Sequence, residues 1–142
     1  MTDQVKILAK HLNVSKEDAE TNLDDFLVYS DDDAQLACLE FIVENIDSFK
    51  AEFIANHSCL SAEAIKVLQE NGSFREDILE SIEYIEDLVQ DAIDTDGRGH
   101  FLASYDGLEH EVTVDGETFY VYRTAQLLTQ LYFLRFSVNI DL

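Results

Sequence analysis

The chain has 142 residues, 46% of them hydrophobic and 11% aromatic, enough apolar material for a real core and too much for a disordered chain. Thirty Asp and Glu stand against nine Lys and Arg, a formal net charge of −21, so nucleic acid phosphates and anionic membranes would both repel it. Two cysteines, Cys38 and Cys59, are too few for a disulfide scaffold and are expected to be core thiols.

Proline is absent, so helix ends must be set by capping residues and glycine. The first segment, MTDQVKILAKHL, is amphipathic and too broken by charge for a signal peptide. It predicts a helix from about Gln4 to Leu12 that buries Val5, Leu8 and Leu12. Leu12-Asn13-Val14 predicts a tight turn, and Ser15 caps a second helix with Ala19, Leu23 and Phe26 on one face. The pair is similar to the start of a helix-turn-helix or of a small three-helix ubiquitin-binding-type module. Glu17, Asp18, Glu20, Asp24 and Asp25 give its second helix the wrong sign for phosphates, so a packing hairpin is the better reading.

Phe26-Leu27-Val28-Tyr29 reads as a strand or an extended link. Ser30 then caps a third helix with Asp31, Asp32 and Asp33 in its first turn, where negative charge suits the macrodipole. Ala34, Ala37, Phe41, Ile42 and Ile46 are its expected buried stripe. A further turn is expected through Phe49, Phe53 and Ile54. Ser61 opens another short helix that Asn71-Gly72 ends.

The clearest periodicity follows. Ser73-Phe74-Arg75-Glu76 has the form of a capping box, and Phe74, Ile78, Ile82, Ile85, Val89 and Ala92 form one apolar stripe. They predict one long helix up to Asp94. After it, four of the five glycines lie between residues 97 and 116. Glu111–Val114, Asp115-Gly116 and Glu117–Tyr122 predict a β-hairpin with a two-residue turn. His100–Tyr105 is a candidate third strand, and Thr124–Phe136 a last helix. The expectation is a single α+β domain: a mostly helical part over 1–95, then a glycine-rich loop, a small antiparallel hairpin or three-stranded sheet, and a C-terminal helix.

Catalytic and metal motifs are weak. Asp94-Thr95-Asp96 begins like a calcium loop, but Arg98 and Tyr105 fall where oxygen ligands are needed. His57 and Cys59 lack the paired spacing of a zinc site. His100, Ser104 and Asp106 hold the letters of a hydrolase triad, and on an extended segment they would share a face. No nucleophile elbow accompanies them. Polar side chains holding a loop together explain them better, with Arg98 pairing to Asp94, Asp96 or Asp106 and with Gly97 and Gly99 at positive φ. No catalytic residue, cofactor or metal is therefore expected.

The acidic surface is the unusual feature. Glu76, Glu80, Glu83, Asp87, Asp91 and Asp94 follow steps of three and four, which on one helix make a single ridge. Carboxylates four residues apart are separated by about 6 Å along a helix axis, close to the spacing of phosphates along one strand. Asp24, Asp25, Asp31, Asp32 and Asp33 are candidates to extend the ridge. A solvated face that keeps the chain in solution is the plain explanation. The functional one is mimicry of nucleic acid toward a basic partner protein.

The segment DGRGHFLASYDG from Asp96 to Gly107, with His110-Glu111-Val112 and Phe119-Tyr120-Val121-Tyr122-Arg123-Thr124 after it, resembles one shared by small acidic bacteriophage proteins. The resemblance spans roughly residues 96–124. It implies a phage origin and expression in a host bacterial cytoplasm, and it brings no catalytic residue with it. The first functional expectation is an acidic phage protein that inhibits a basic nucleic-acid-binding host protein, of anti-restriction or anti-CRISPR type, through the ridge. Arg98, His100, Tyr105 and Asp106 would be scaffold or a second contact surface. The alternatives are a structural protein that forms a homodimer through Leu127–Phe136, and a small hydrolase or metal enzyme using the 94–106 loop.

Overall fold

A computed structural model of the chain describes residues 3–72 and 75–124. Contacts divide it into two units. One combines the residues up to Ala34 with those from Arg98 onward, and the other is Gln35–Gly97.

In the first unit, α1 (Gln4–Leu12) starts where Asp3 accepts from the backbone of Val5 and stops where Asn13 turns left-handed, with φ 57°. α2 (Lys16–Asn22) is capped by Ser15, whose side chain accepts from the Asp18 amide. Leu23–Asp25 is a 3-10 turn, and Phe26–Tyr29 is strand β1. Leu23 and Phe26 thus leave the helix predicted for them, yet they still pack with Ala19 against one core. The hairpin forms as predicted, from β2 (His110–Val114) and β3 (Glu117–Arg123). Asp115 and Gly116 both have positive φ, at 55° and 82°. A two-residue hairpin turn of this kind matches the twist of its strands.

The sheet is antiparallel in the order β1-β3-β2, with Val28 opposite Val121 and Val112 opposite Phe119. The third strand is therefore β1, not His100–Tyr105. Residues Arg98–Leu102 instead form a short helix, whose Phe101 and Leu102 are buried. On β3, adjacent Val121 and Tyr122 are both fully buried, so the central strand is covered on both sides at that point. Val121 joins Ile7, Leu8, Ala19, Val28, Val112 and Val114 in the core beneath α1 and α2.

The chain leaves this unit through α3 (Asp31–Glu44), whose start is capped by the Ser30 hydroxyl accepting from the Asp33 amide at 3.2 Å. Its buried residues are Ala34, Cys38 and Ile42, with Ile46 just beyond, at steps of four. Phe41, expected inside, is 40% exposed because it lies one position off that row. A 3-10 turn at Ile46–Ser48 leads to α4 (Ala51–Ala55) and α5 (Ala62–Asn71). Ser61 caps α5, and Gly72 ends it at φ 62°.

The long helix is two helices: α6 (Arg75–Glu80) and α7 (Ile85–Asp96). Between them Ile82 bridges antiparallel to Ser58, and the Cys59 amide donates to Ser81 O at 3.0 Å. The Ser81 hydroxyl donates to Ile78 O at 2.6 Å. Ile78, Ile82, Val89 and Ala92 are buried all the same. The apolar stripe thus marks burial at these four positions, but the backbone that carries it is not one continuous helix. Ser73, Phe74 and the predicted helix at 125–136 lie outside the described residues.

Candidate functional site

The break in the helix decides the layout of the acidic ridge. Glu76 and Glu80 lie on α6, Glu83 on the link, and Asp87, Asp91 and Asp94 on α7. A continuous row with one helical spacing does not exist. All but Asp91 are exposed. Among the described residues, none of the six forms an ion pair with a Lys or Arg.

Asp91 is different. Its Oδ2 lies 2.8 Å from His57 Nε2, and the imidazole packs beside Phe53 with ring centroids 5.7 Å apart. Asp91 is therefore built into the unit and is not a free element of the ridge. The Gln90 amide donates to Asp94 at 2.8 Å, one turn on.

Beside this pair the α6–α7 link forms a cleft of about 400 Å³. It is lined by Asn56, His57, Ser58, Cys59, Ser81, Glu83, Tyr84 and Asp87. Its floor is fixed by hydroxyl contacts. Ser58 and Ser81 lie 2.6 Å apart, and the Ser58 hydroxyl also accepts from the Leu60 amide at 2.9 Å. Cys59 is exposed here, not a core thiol as expected. Cys38 is buried.

The sequence reading missed this cleft. Its signal was faint: Tyr84 is the one aromatic residue between Arg75 and Asp96, and it falls where the two helices part.

The five aspartates proposed to extend the ridge belong to the other unit. Asp24, Asp32 and Asp33 are exposed, and Asp25 is half-buried with its carbonyl accepting from the Thr124 amide. Asp31 is occupied by Arg98.

Arg98 turns inward, with its side chain only 10% exposed. Its Nε donates to Glu109 at 2.8 Å and its Nη1 to Asp31 Oδ1 at 2.9 Å. The guanidinium also lies 4.6 Å from the centre of the Tyr120 ring. The buried Tyr122 hydroxyl donates to the same Glu109 oxygen at 2.5 Å. Burial alone lowers the guanidinium pKa, but the bonds to Glu109 and Asp31 outweigh it and hold the pKa above its ordinary value. The partners expected from sequence, Asp94, Asp96 and Asp106, are not the ones used.

The other loop residues are separate from this cluster. His100 is exposed on the short helix, edge-on to Phe101. Tyr105 lies under the Arg123 guanidinium at 4.0 Å. Asp106 accepts from the Leu108 amide at 3.0 Å, closing a turn. A shared face for His100, Ser104 and Asp106 fails because residue 100 is helical, not extended.

Among the described residues, no group of three or more His, Cys, Asp or Glu is placed to hold a metal. Among them, too, no helix is long and apolar enough to cross a membrane. Comparison with known proteins gives no match among family models, curated proteins or solved structures.

Proposed function

We propose that this chain is a phage-encoded acidic protein that binds a basic nucleic-acid-binding protein of the host cytoplasm and blocks it, as nucleic acid would. The observation behind this reading is the exposed, uncompensated charge of α6, α7 and their link. In Gln35–Gly97, fifteen Asp and Glu stand against Lys50, Lys66 and Arg75. Lys66 is already paired with Glu52 at 3.3 Å, and Arg75 donates to Glu44 O at 3.0 Å. Clustered like charges strain the free protein, and a basic groove would relieve them. The phage assignment rests on the resemblance of residues 96–124.

The test is capture from a host-cell lysate at low salt, with elution by a salt gradient. A nucleic-acid-binding protein released by salt and competed away by nucleic acid is the expected result. The charge-reversal variant carries Glu76→Lys, Glu80→Lys and Asp94→Lys, all exposed positions. It should lose the partner and keep its fold. Asp91 is left out because its reversal would also unseat His57. Capture that survives both salt and charge reversal would refute the reading.

A further inference from the structure

We infer that the cleft at the α6–α7 link is an arginine-binding site, which takes a guanidinium side chain from the basic partner. The reading of a basic partner supplies only the source of that arginine. The site itself stands on the shape and chemistry of the cleft.

The volume of about 400 Å³ lies at the lower end of ligand pockets and is ample for one long side chain. Two carboxylates at its edge, Glu83 and Asp87, are exposed, and among the described residues neither has an ion-pair partner. Tyr84, next to Glu83 in the chain, is 61% exposed, so its ring is open to a ligand. Among the described residues, no Lys or Arg lines the cleft. The basic side chain they place there, His57, is already engaged by Asp91.

Two carboxylates and an open aromatic ring lining one cleft are what a cation seeks. The ring face attracts positive charge, and the carboxylates accept its hydrogen bonds. Arginine fits better than lysine. Its planar guanidinium can stack on the Tyr84 ring and fork to a carboxylate at once, whereas an ammonium is a compact, strongly hydrated point charge. The same chain makes this pairing elsewhere: Arg98 lies over Tyr120 while bonding Glu109, and Arg123 lies over Tyr105.

The link is held independently of any ligand. Ser81, the Ser58–Ile82 bridge and the Cys59 amide fix its backbone. The side chains that would touch the guanidinium are therefore presented on a fixed frame, which lowers the ordering cost of binding.

The test is a ¹H–¹⁵N NMR titration of the full chain with the peptide acetyl-Gly-Arg-Gly-amide. The comparison peptides carry citrulline or lysine in place of arginine. Shifts are expected at residues 56–59 and 81–87, with weaker binding of the lysine peptide and none of the citrulline peptide. Tyr84→Leu keeps apolar bulk without the aromatic face and should weaken binding by about threefold, with Tyr84→Phe restoring it. Glu83→Gln with Asp87→Asn should weaken it by about tenfold. Both sets are exposed positions, and the amide spectrum reports their fold directly.

Shifts spread over the acidic helices, equal for lysine and arginine, would overturn the site. So would binding indifferent to Tyr84→Leu. The two proposals fail separately. Arginine bound in the cleft, with host capture unaffected by charge reversal on α6 and α7, removes the acidic-surface reading and keeps the site. Host capture lost on that reversal, with peptide shifts insensitive to Tyr84, does the opposite.

Discussion

Gly99 is a position where a single atom matters. A Cβ there would lie 2.5 Å from the carbonyl oxygen of Gly107 and 2.8 Å from the Leu108 carbonyl carbon. The neighbours are backbone, so they cannot swing away. A positive φ was the expectation for this glycine, but its backbone is helical, and close approach is what requires it. Gly99→Ala should therefore destabilise the fold by about 1–3 kcal/mol in chemical denaturation. Gly97→Ala has open space around its Cβ and is strained only by its φ of 85°. Arg98 next door gathers Asp31, Glu109 and the Tyr120 ring. Arg98→Leu keeps apolar bulk and, among the described residues, leaves Glu109 with the Tyr122 hydroxyl alone. We expect a loss of about 2–3 kcal/mol, against about 1 kcal/mol for Tyr122→Phe. Equal losses would show that packing, not the charged hydrogen bonds, dominates that cluster.

Between elements, the contact of α1 with β2 has a titratable centre. The His11 and His110 rings lie 4.8 Å apart. Burial first, and the neighbouring His110 second, lower the His11 pKa from its ordinary value. The unfolded chain then takes up this proton at a higher pH than the folded chain does. His11 contributes stability that is present above about pH 6.5 and is lost as the pH falls through the lowered value. Across that window, wild type should lose stability relative to His11→Gln, read as the difference between their thermal midpoints. A constant difference from pH 7.5 to pH 5 would exclude the pair as the cause. Lys6 and Lys10 brace the same contact, through Asp115 at 2.7 Å and through the Thr113 carbonyl. In the other unit, the element that matters is the four-residue link between α6 and α7. It converts one expected face into two short helices and a cleft.

For the whole molecule, the charge of −21 outweighs every other feature. Self-repulsion destabilises the folded chain at low ionic strength and is screened as the Debye length shrinks. The thermal midpoint should rise by a few degrees between about 20 mM and about 300 mM salt, while binding to a basic partner weakens. A midpoint indifferent to salt would mean that the carboxylates are better separated than their number implies. The opposed responses also separate the two effects in one experiment. Lost binding at high salt cannot then be blamed on unfolding.

Local chemistry by itself determined a good deal of this protein. The caps at Ser15, Ser30 and Ser61, the left-handed stop at Gly72 and the Asp115-Gly116 hairpin follow from side chains bonding to nearby backbone and from φ preferences, which act within a few residues. The α+β class followed from the change of period after Asp94. Tertiary structure decided what depends on partners far along the chain. Pairing with β3 made Phe26–Tyr29 a strand, and a backbone bridge from Ser58 to Ile82 broke a helix whose periodicity was intact. Asp31 and Glu109, 67 and 11 residues from Arg98, became its partners. The cleft is of the same kind. Its two walls, residues 56–59 and 81–87, meet only because backbone hydrogen bonds between them are satisfied across the fold, and no periodicity records such a meeting.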